Sequence, residues 1–204
     1  MSFYGRVFAA IYDRLMAGTE KAGLSDRRHG LLSEASGRVI EIGAGTGVNL
    51  QHYGDGVTEL VLTEPEEPMA QRLEQKAAGR ATVTRAPAEA LPFPDDSFDT
   101  AVATLVLCTV SDPERALAEI DRVLKPGGKL LFIEHVRSDD PRLARWQDRI
   151  APLWRPIGHG CNCNRPTHDL ISARFGDRAH IEDGEMPKAP PIFRPLKQGR
   201  AVAA

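Results

Sequence analysis

The chain contains no apolar run near the roughly 20 residues that a membrane-spanning helix requires. Its opening segment, MSFYGRVFAAIYDRLMAGTEK, contains no stretch fit for a secretory h-region. These absences predict no stable membrane anchor and a cytoplasmic location. Cysteine is scarce as well. Cys108, Cys161 and Cys163 are odd in number in a chain without an export signal, so free thiols are expected rather than a disulfide framework. Neither sign of charge dominates: 26 Lys and Arg stand against 28 Asp and Glu, leaving -2. Such a balance supplies no broad positive field to draw nucleic acid or anionic lipid. A small-molecule substrate and no nucleic-acid partner are the expectation, and the sequence leaves the oligomeric state open.

What is present is an alternation of strand and helix signals along 204 residues with ordinary globular composition. Residues 1–33 read as a helical cap, with Phe8, Ile11, Tyr12, Leu15 and Met16 at three- and four-residue steps. RVIEIGAG (38–45) is a strand running into glycine, LVLTEP (60–65) a second strand stopped by proline, and a helix over about 67–78 follows. A short third strand starts ATVTRAPAEALPF, and Phe98–Leu107 is apolar enough for a central strand covered on both faces. Ser111 with Glu114 reads as a capping box for a helix whose apolar face is Ala116, Leu117, Ile120, Val123 and Leu124. KLLFIEHV (129–136) is the fifth strand. HIED (180–183) and QGRAVA (198–203) are candidates for the last two, although the surrounding prolines weaken the first. No repeat appears. The pattern implies one α/β domain over 1–204, with a parallel sheet reached through right-handed crossovers, a core at 38–136 and an acceptor side at 138–204.

Gly43, Gly45 and Gly47 follow the first strand and precede a helix, where glycine lets the backbone turn and approach a ligand closely. Valine occupies position 48, where a dinucleotide fingerprint needs its third glycine, which argues against a nicotinamide enzyme. Glu64 ends the second strand, at the place where a carboxylate can accept both hydroxyls of a ribose. Ala88 and Glu89 lie in the loop after strand three, where an amide and a side-chain acceptor could meet an adenine edge. Thr104 and Leu105 can offer backbone groups to an amino-acid moiety.

Taken together, Glu41-x-Gly43-x-Gly45, Glu64, ALPFPDDSFD and VLKPGG resemble the class I S-adenosylmethionine-dependent methyltransferases over roughly residues 38–136. The resemblance implies a Rossmann-like, seven-stranded, mostly parallel sheet with helices on both faces and an antiparallel C-terminal hairpin. It also implies S-adenosylmethionine as methyl donor and S-adenosylhomocysteine as product, framed by Glu41, Gly43, Ala44, Gly45, Glu64, Pro65, Ala88, Glu89 and Leu105. Tyr12, Met69 and Thr104 complete the expected cofactor set, with Tyr4 and Tyr12 reaching in from the helical cap. TLVLCTV, FIEHV, a tryptophan-bearing helix and GCNCNRPT are further similar to the alkyl thiol methyltransferases of animals and their bacterial relatives, which act on small hydrophobic thiols. This chain has Cys163-Asn164 where the animal pattern has leucine and threonine.

A thiol has a pKa near 8.5, so a nearby imidazole suffices to raise its thiolate fraction. His135, at the end of strand five, is the candidate base, with Glu134 read as orienting it. Cys108, Trp146, Trp154, Cys161, Asn162 and Arg165 are expected at the acceptor pocket. His159, Cys161, Cys163 and His168 invite a zinc reading, but the C-x-C gap is too short for a usual structural site and no metal is expected there. Quinone or phospholipid-headgroup methylation remains an alternative on ALPFPDDSFD and VLKPGG, and a non-catalytic cofactor-binding module is an alternative of another class.

Overall fold

A computed structural model of the chain describes residues 3–204, with side chains from Gly5 onward. Seven strands form one sheet: β1 (Gly37–Ile42), β2 (Val57–Thr63), β3 (Thr82–Thr84), β4 (Phe98–Thr104), β5 (Leu124–His135), β6 (Ala179–Glu185) and β7 (Pro195–Val202). Their order is β3-β2-β1-β4-β5-β7-β6. The first five run parallel, and β7 runs antiparallel to both β5 and β6, giving the expected reversed hairpin. Six α-helices accompany them among the described residues: α1 (Phe3–Thr19), α2 (Ser25–Leu32), α3 (Glu67–Ala77), α4 (Pro113–Val123), α5 (Pro141–Ile157) and α6 (Thr167–Phe175). No helix among the described residues is long and apolar enough to cross a membrane.

Successive strand side chains point to opposite faces, and both faces are buried. Ile40, Ile42, Ala101, Ala103, Leu130 and Phe132 pack with α4 and α6. Their sequence neighbours Val39, Val102 and Leu131 pack with Leu32 of α2 and Leu73 and Ala77 of α3. This double coverage explains why the central strands read as continuous apolar runs. The HIED segment is β6, at the sheet edge, where the pairing stops at Glu185 ahead of Pro187.

Three local expectations are corrected. The cap of α4 is Asp112, whose carboxylate accepts the Arg115 N–H at 3.0 Å. Pro113, with no N–H to satisfy, takes the first helical position and moves the cap one residue past Ser111. Next, the turn after Gly47 is only a single 3-10 turn, Val48–Gln51, because β2 begins at Val57 and leaves no room for a longer helix.

The third correction concerns β4, which ends at Thr104 rather than continuing to Leu107. Leu105 adopts a left-handed conformation at φ 58°. The buried Glu134 carboxylate then accepts the next three amides, from Val106 (3.0 Å), Leu107 (2.9 Å) and Cys108 (3.2 Å). Glu134 therefore shapes the turn after β4, and orienting His135 is not what its oxygens are engaged in. Glu134→Ala leaves these amides without an acceptor in the core, at about 1–3 kcal/mol for each buried unpaired group. We expect a loss of at least about 3 kcal/mol in chemical denaturation, with cofactor binding impaired in the fraction that stays folded.

Candidate functional site

All the residues that the sequence singles out near the glycine loop gather at the carboxyl edge of the parallel strands. Gly43 follows β1, Glu64 follows β2, and Thr104 and His135 are the last residues of β4 and β5. In open α/β sheets this edge is where ligands are received.

The three glycines do different things. A Cβ at Gly43 would lie 2.3 Å from Val106 Cγ2, and one at Gly47 would lie 2.8 Å from Leu50 Cδ1 and 2.9 Å from Leu73 Cδ1. Both are required by packing. Gly45, at φ 57°, faces open space, so its backbone is the part of the loop a ligand can approach. Its N–H donates to Glu64 Oε2 at 2.9 Å, while Glu64 Oε1 accepts the Glu66 N–H at 2.9 Å. Burial raises the Glu64 carboxyl above its ordinary range, against the lowering effect of those two amides. With one amide on each oxygen, Glu64 retains capacity to accept further hydroxyls. Ala44 and Met69 are buried beside this loop and Pro65 is exposed next to Glu64.

Beneath the loop lies a buried polar network. Glu41 accepts from Asn49 Nδ2 (2.9 Å) and from the Tyr53 hydroxyl (2.7 Å). Arg28 donates to Asn49 Oδ1 (2.9 Å), to Thr104 Oγ1 (2.8 Å) and to Glu20 (3.1 Å). Thr104 therefore takes part through its side chain, and the Leu105 amide is engaged by the Ile133 carbonyl at 2.7 Å. Nothing in the sequence singled out Arg28, Glu20, Asn49 or Tyr53, because each reads in isolation as an ordinary surface residue.

Helix α1 crosses this edge as a cover. The Thr46 hydroxyl donates to Asp13, and Lys76 of α3 donates to the other Asp13 oxygen at 3.0 Å. Phe8 stacks on His159 at 4.5 Å between ring centroids, and His159 Nε2 lies 3.5 Å from Glu66 Oε2. Tyr12 is pushed up to about 12 by burial, with Arg28 and Cys108 both close enough to act on it electrostatically. The Tyr4 side chain lies outside the described residues. Glu89 is engaged within the protein: its Oε1 accepts from Ser111 N–H (2.8 Å), Ser111 Oγ (2.7 Å) and Asp112 N–H (3.1 Å), joining two loops. Ala88 beside it is buried.

Past the ends of β4 and β5 the structure gathers Cys108, His135, Cys161 and Trp154. His135 Nδ1 lies 3.9 Å from Cys161 Sγ, and His135 Nε2 lies 3.2 Å from Met186 Sδ. The Cys108 and Cys161 sulfurs lie within 4.8 Å of one another. Their interaction lowers the Cys161 thiol, while the same interaction and burial push the Cys108 thiol up. Trp154, whose indole N–H has no partner of ordinary geometry, also favours the Cys161 thiolate, and its ring packs on Phe193 at 4.2 Å.

Asn162 and Arg165 are clasps. Asn162 donates through its amide (2.9 Å) and side chain (3.2 Å) to the Cys108 carbonyl, and Arg165 donates to the carbonyls of Leu107 (2.6 Å) and Val110 (2.8 Å). Gln147, unremarkable in the sequence, is fully buried and donates to the carbonyls of Val136, Cys163 and Ile192. Trp146 does not join the group: it is 56% exposed, with Arg149 over its ring. A hollow of about 520 Å³ beside the β6–β7 hairpin, lined in part by Arg27, Arg137, Leu143 and Lys197, contains none of the expected site residues.

The family described as "Methyltransferase domain" matches residues 40–132. The human thiol S-methyltransferase TMT1B is 38% identical over 178 residues, which cover 82% of this chain and 70% of that protein. The chain belongs to the class I S-adenosylmethionine-dependent methyltransferases. Human thiol S-methyltransferase TMT1A is 28% identical over 96% of this chain and 82% of its own length. An S-adenosylmethionine-dependent methyltransferase of Thermotoga maritima superimposes with a TM-score of 0.71, at 25% identity and 98% coverage of both chains. The chain is thus an S-adenosylmethionine-dependent enzyme close to the thiol methyltransferase branch. The open face of Gly45 and the unfilled acceptor capacity of Glu64 fit that cofactor.

Burial pushes Glu41 up to about 7 from an ordinary 4.5, against hydrogen bonds from Tyr53 and Asn49 that lower it. Between those values the folded state binds more protons than the unfolded chain, so this group's contribution makes stability fall as pH rises through the window. The difference amounts to about 3 kcal/mol. Glu41→Gln cannot titrate. Relative to the parent it should gain about that amount between pH 5 and pH 8 in denaturation midpoints, from whatever deficit it has at pH 5. A stability gap independent of pH would show that Glu41 titrates normally.

Proposed function

We propose that the chain transfers the methyl group of S-adenosylmethionine to the sulfur of a small apolar thiol. The observation that supports this most is the cluster of Cys108, Cys161, His135 and Trp154 at the ends of β4 and β5. It is an apolar, sulfur-rich group beside the cofactor edge, and Tyr12 of the covering helix lies within electrostatic reach of both. The likeness to thiol S-methyltransferases supports the same reading.

In this reading Glu64 receives the ribose hydroxyls, Gly43, Ala44 and Gly45 lie along the donor, and Pro65 and Met69 flank the adenosine. The backbone beside Ala88 and Glu89 meets the adenine edge. Leu105 presents its carbonyl, since its amide is already bonded within the sheet. The bound cofactor supplies an electrophilic methyl on a sulfonium. The protein's part is alignment of acceptor and donor at about 3 to 3.5 Å and exclusion of water. Tyr12 and Trp154 provide walls, and Asn162 and Arg165 fix the Cys108 turn against the Cys161 loop. His135, facing Cys161, is the imidazole nearest the acceptor.

Acceptor-dependent formation of S-adenosylhomocysteine across alkyl thiols, quinols and phospholipid amines tests the reading. Turnover with the thiols is expected. Activity confined to a quinol or an amine would overturn it, and tight cofactor binding without turnover on any acceptor would mark a binding module. Glu64→Ala removes a charged acceptor from the ribose and should weaken S-adenosylmethionine by about tenfold or more in calorimetry. Unchanged affinity in a folded variant would remove the ribose assignment. His135→Gln should lower thiol turnover by about 100-fold or more with cofactor affinity little altered. Turnover equal to the parent would exclude the imidazole from the chemistry.

A further inference from the structure

Cys108, His135 and Cys161 come from three separate segments: the turn after β4, the end of β5, and the loop between α5 and α6. Each offers one ligand atom, and the three atoms lie within 4.8 Å of one another. No other such His, Cys, Asp and Glu grouping occurs among the described residues. We propose that these side chains form an open three-ligand site for Zn2+ and, resting on the thiol reading above, that the acceptor thiol takes its fourth position.

The donor set and its dimensions suit the ion. Zinc binds thiolate at about 2.3 Å and imidazole at about 2.0–2.1 Å in a tetrahedron, which separates its ligand atoms by roughly 3.5–3.8 Å. The 3.9 Å between His135 Nδ1 and Cys161 Sγ is already close to that edge, and the third atom must draw in by no more than about an ångström. Two cysteines, one histidine and a vacant fourth position are the composition of a catalytic rather than a structural zinc site.

The surroundings prepare the ligands. Met186 Sδ lies 3.2 Å from His135 Nε2 and can only accept there. The ring proton belongs on Nε2, and the Nδ1 lone pair is turned to the sulfurs, the tautomer that a metal ligand needs. Cys108 is held at both ends of its peptide unit: its N–H donates to Glu134 at 3.2 Å and its carbonyl accepts from Asn162. The Cys161 N–H donates to the Gly158 carbonyl at 3.1 Å. Ligands held in place by such contacts before the ion arrives lose little entropy on closing around it. The unused cysteine, Cys163, is buried but stands outside the group. His159 stacks on Phe8, and His168 lies 3.3 Å from Asp169, so the H-x-C-x-C reading of the sequence has no counterpart in space.

Such a site has a direct use in thiol chemistry. A thiol that coordinates zinc does so as thiolate: the sulfur–zinc bond forms while the S–H proton leaves to solvent. The acceptor would then arrive as thiolate with its remaining lone pairs free for the methyl group, and His135 would act as a ligand through Nδ1 rather than as the proton acceptor.

The test uses the full chain, reduced, stripped with a chelator and titrated with Co2+ as a spectroscopic probe for zinc. We expect one equivalent to bind with a near-ultraviolet thiolate-to-cobalt band and the strong visible absorption of tetrahedral cobalt, both abolished by added Zn2+. Cys161→Ser, Cys108→Ser and His135→Ala should each lose or collapse these bands, and Cys163→Ser should keep them. Circular dichroism identifies any variant that fails to fold, and the parent titration together with Cys161→Ser carries the result if Cys108→Ser does so. A small alkyl thiol should strengthen the charge-transfer band, and the corresponding methyl thioether should not. No band in the parent, or an undiminished band in Cys161→Ser, overturns the site. A cobalt band indifferent to a thiol that the enzyme methylates overturns the fourth-position role and leaves the thiol reading standing. A cobalt site with no methylation of any thiol separates the two in the other direction.

Discussion

Glu134 is a buried carboxylate in the middle of the sheet's working edge, and the three amides of Val106, Leu107 and Cys108 converge on it. Burial pushes its carboxyl up to about 7 against the lowering effect of those same amides, so the charge is tolerated only because the turn is wrapped around it. The wrapping bends the chain off the sheet at Leu105. It aims the Cys108 side chain toward Cys161 and leaves the Cys108 carbonyl for Asn162. The Leu107 and Val110 carbonyls then receive Arg165. One carboxylate thus fixes a turn, and the turn fixes the C-terminal loop.

A second buried charge works on the other side of β4. Arg28 is 4% exposed and is met by Glu20, Asn49 and Thr104, while Asn49 in turn meets Glu41. Burying a guanidinium and a carboxylate is costly unless each has hydrogen-bonding partners. Here the partners come from the helical cap, the turn after the glycine loop and the end of β4. The network therefore fixes the register of the cap relative to the sheet, which a purely apolar contact would leave free to slide.

The sheet was legible in the sequence because burial on both faces leaves β-branched and apolar runs, as in RVIEI and LLFIE, bounded by glycine and proline. The glycine loop and Glu64 were legible because close backbone approach and a carboxylate at a strand end are local requirements. The acceptor side was legible only in its parts. Cys108, His135 and Cys161 each stood out, but His135 and Cys161 are separated by 26 positions that include a whole helix, and no periodicity says that the chain returns. Met186, Gln147 and Asp13 left no signal: one polar or flexible residue on an amphipathic segment looks the same whether it faces water or closes a network. Trp146 and Trp154 illustrate the converse. Eight positions apart on one helix, they face differently because Trp146 shares its surface with Arg149 while Trp154 turns to Phe193.

The cover ties these two halves together. Helix α1 holds the glycine loop through Asp13 and Thr46, and it holds the Cys161 loop through the stacking of Phe8 on His159. His159 is two residues from Cys161, and Glu66, which lies beside it, is two residues from Glu64. Helix α1 therefore contacts both the loop that carries Gly45 and the segment that carries Cys161. The glycine loop and the sulfur cluster are in this way tied to one helix by a few side chains. Such an arrangement suits a methyl transfer that must exclude water, since one helix lies over the cofactor edge and against the segment that carries the sulfur cluster.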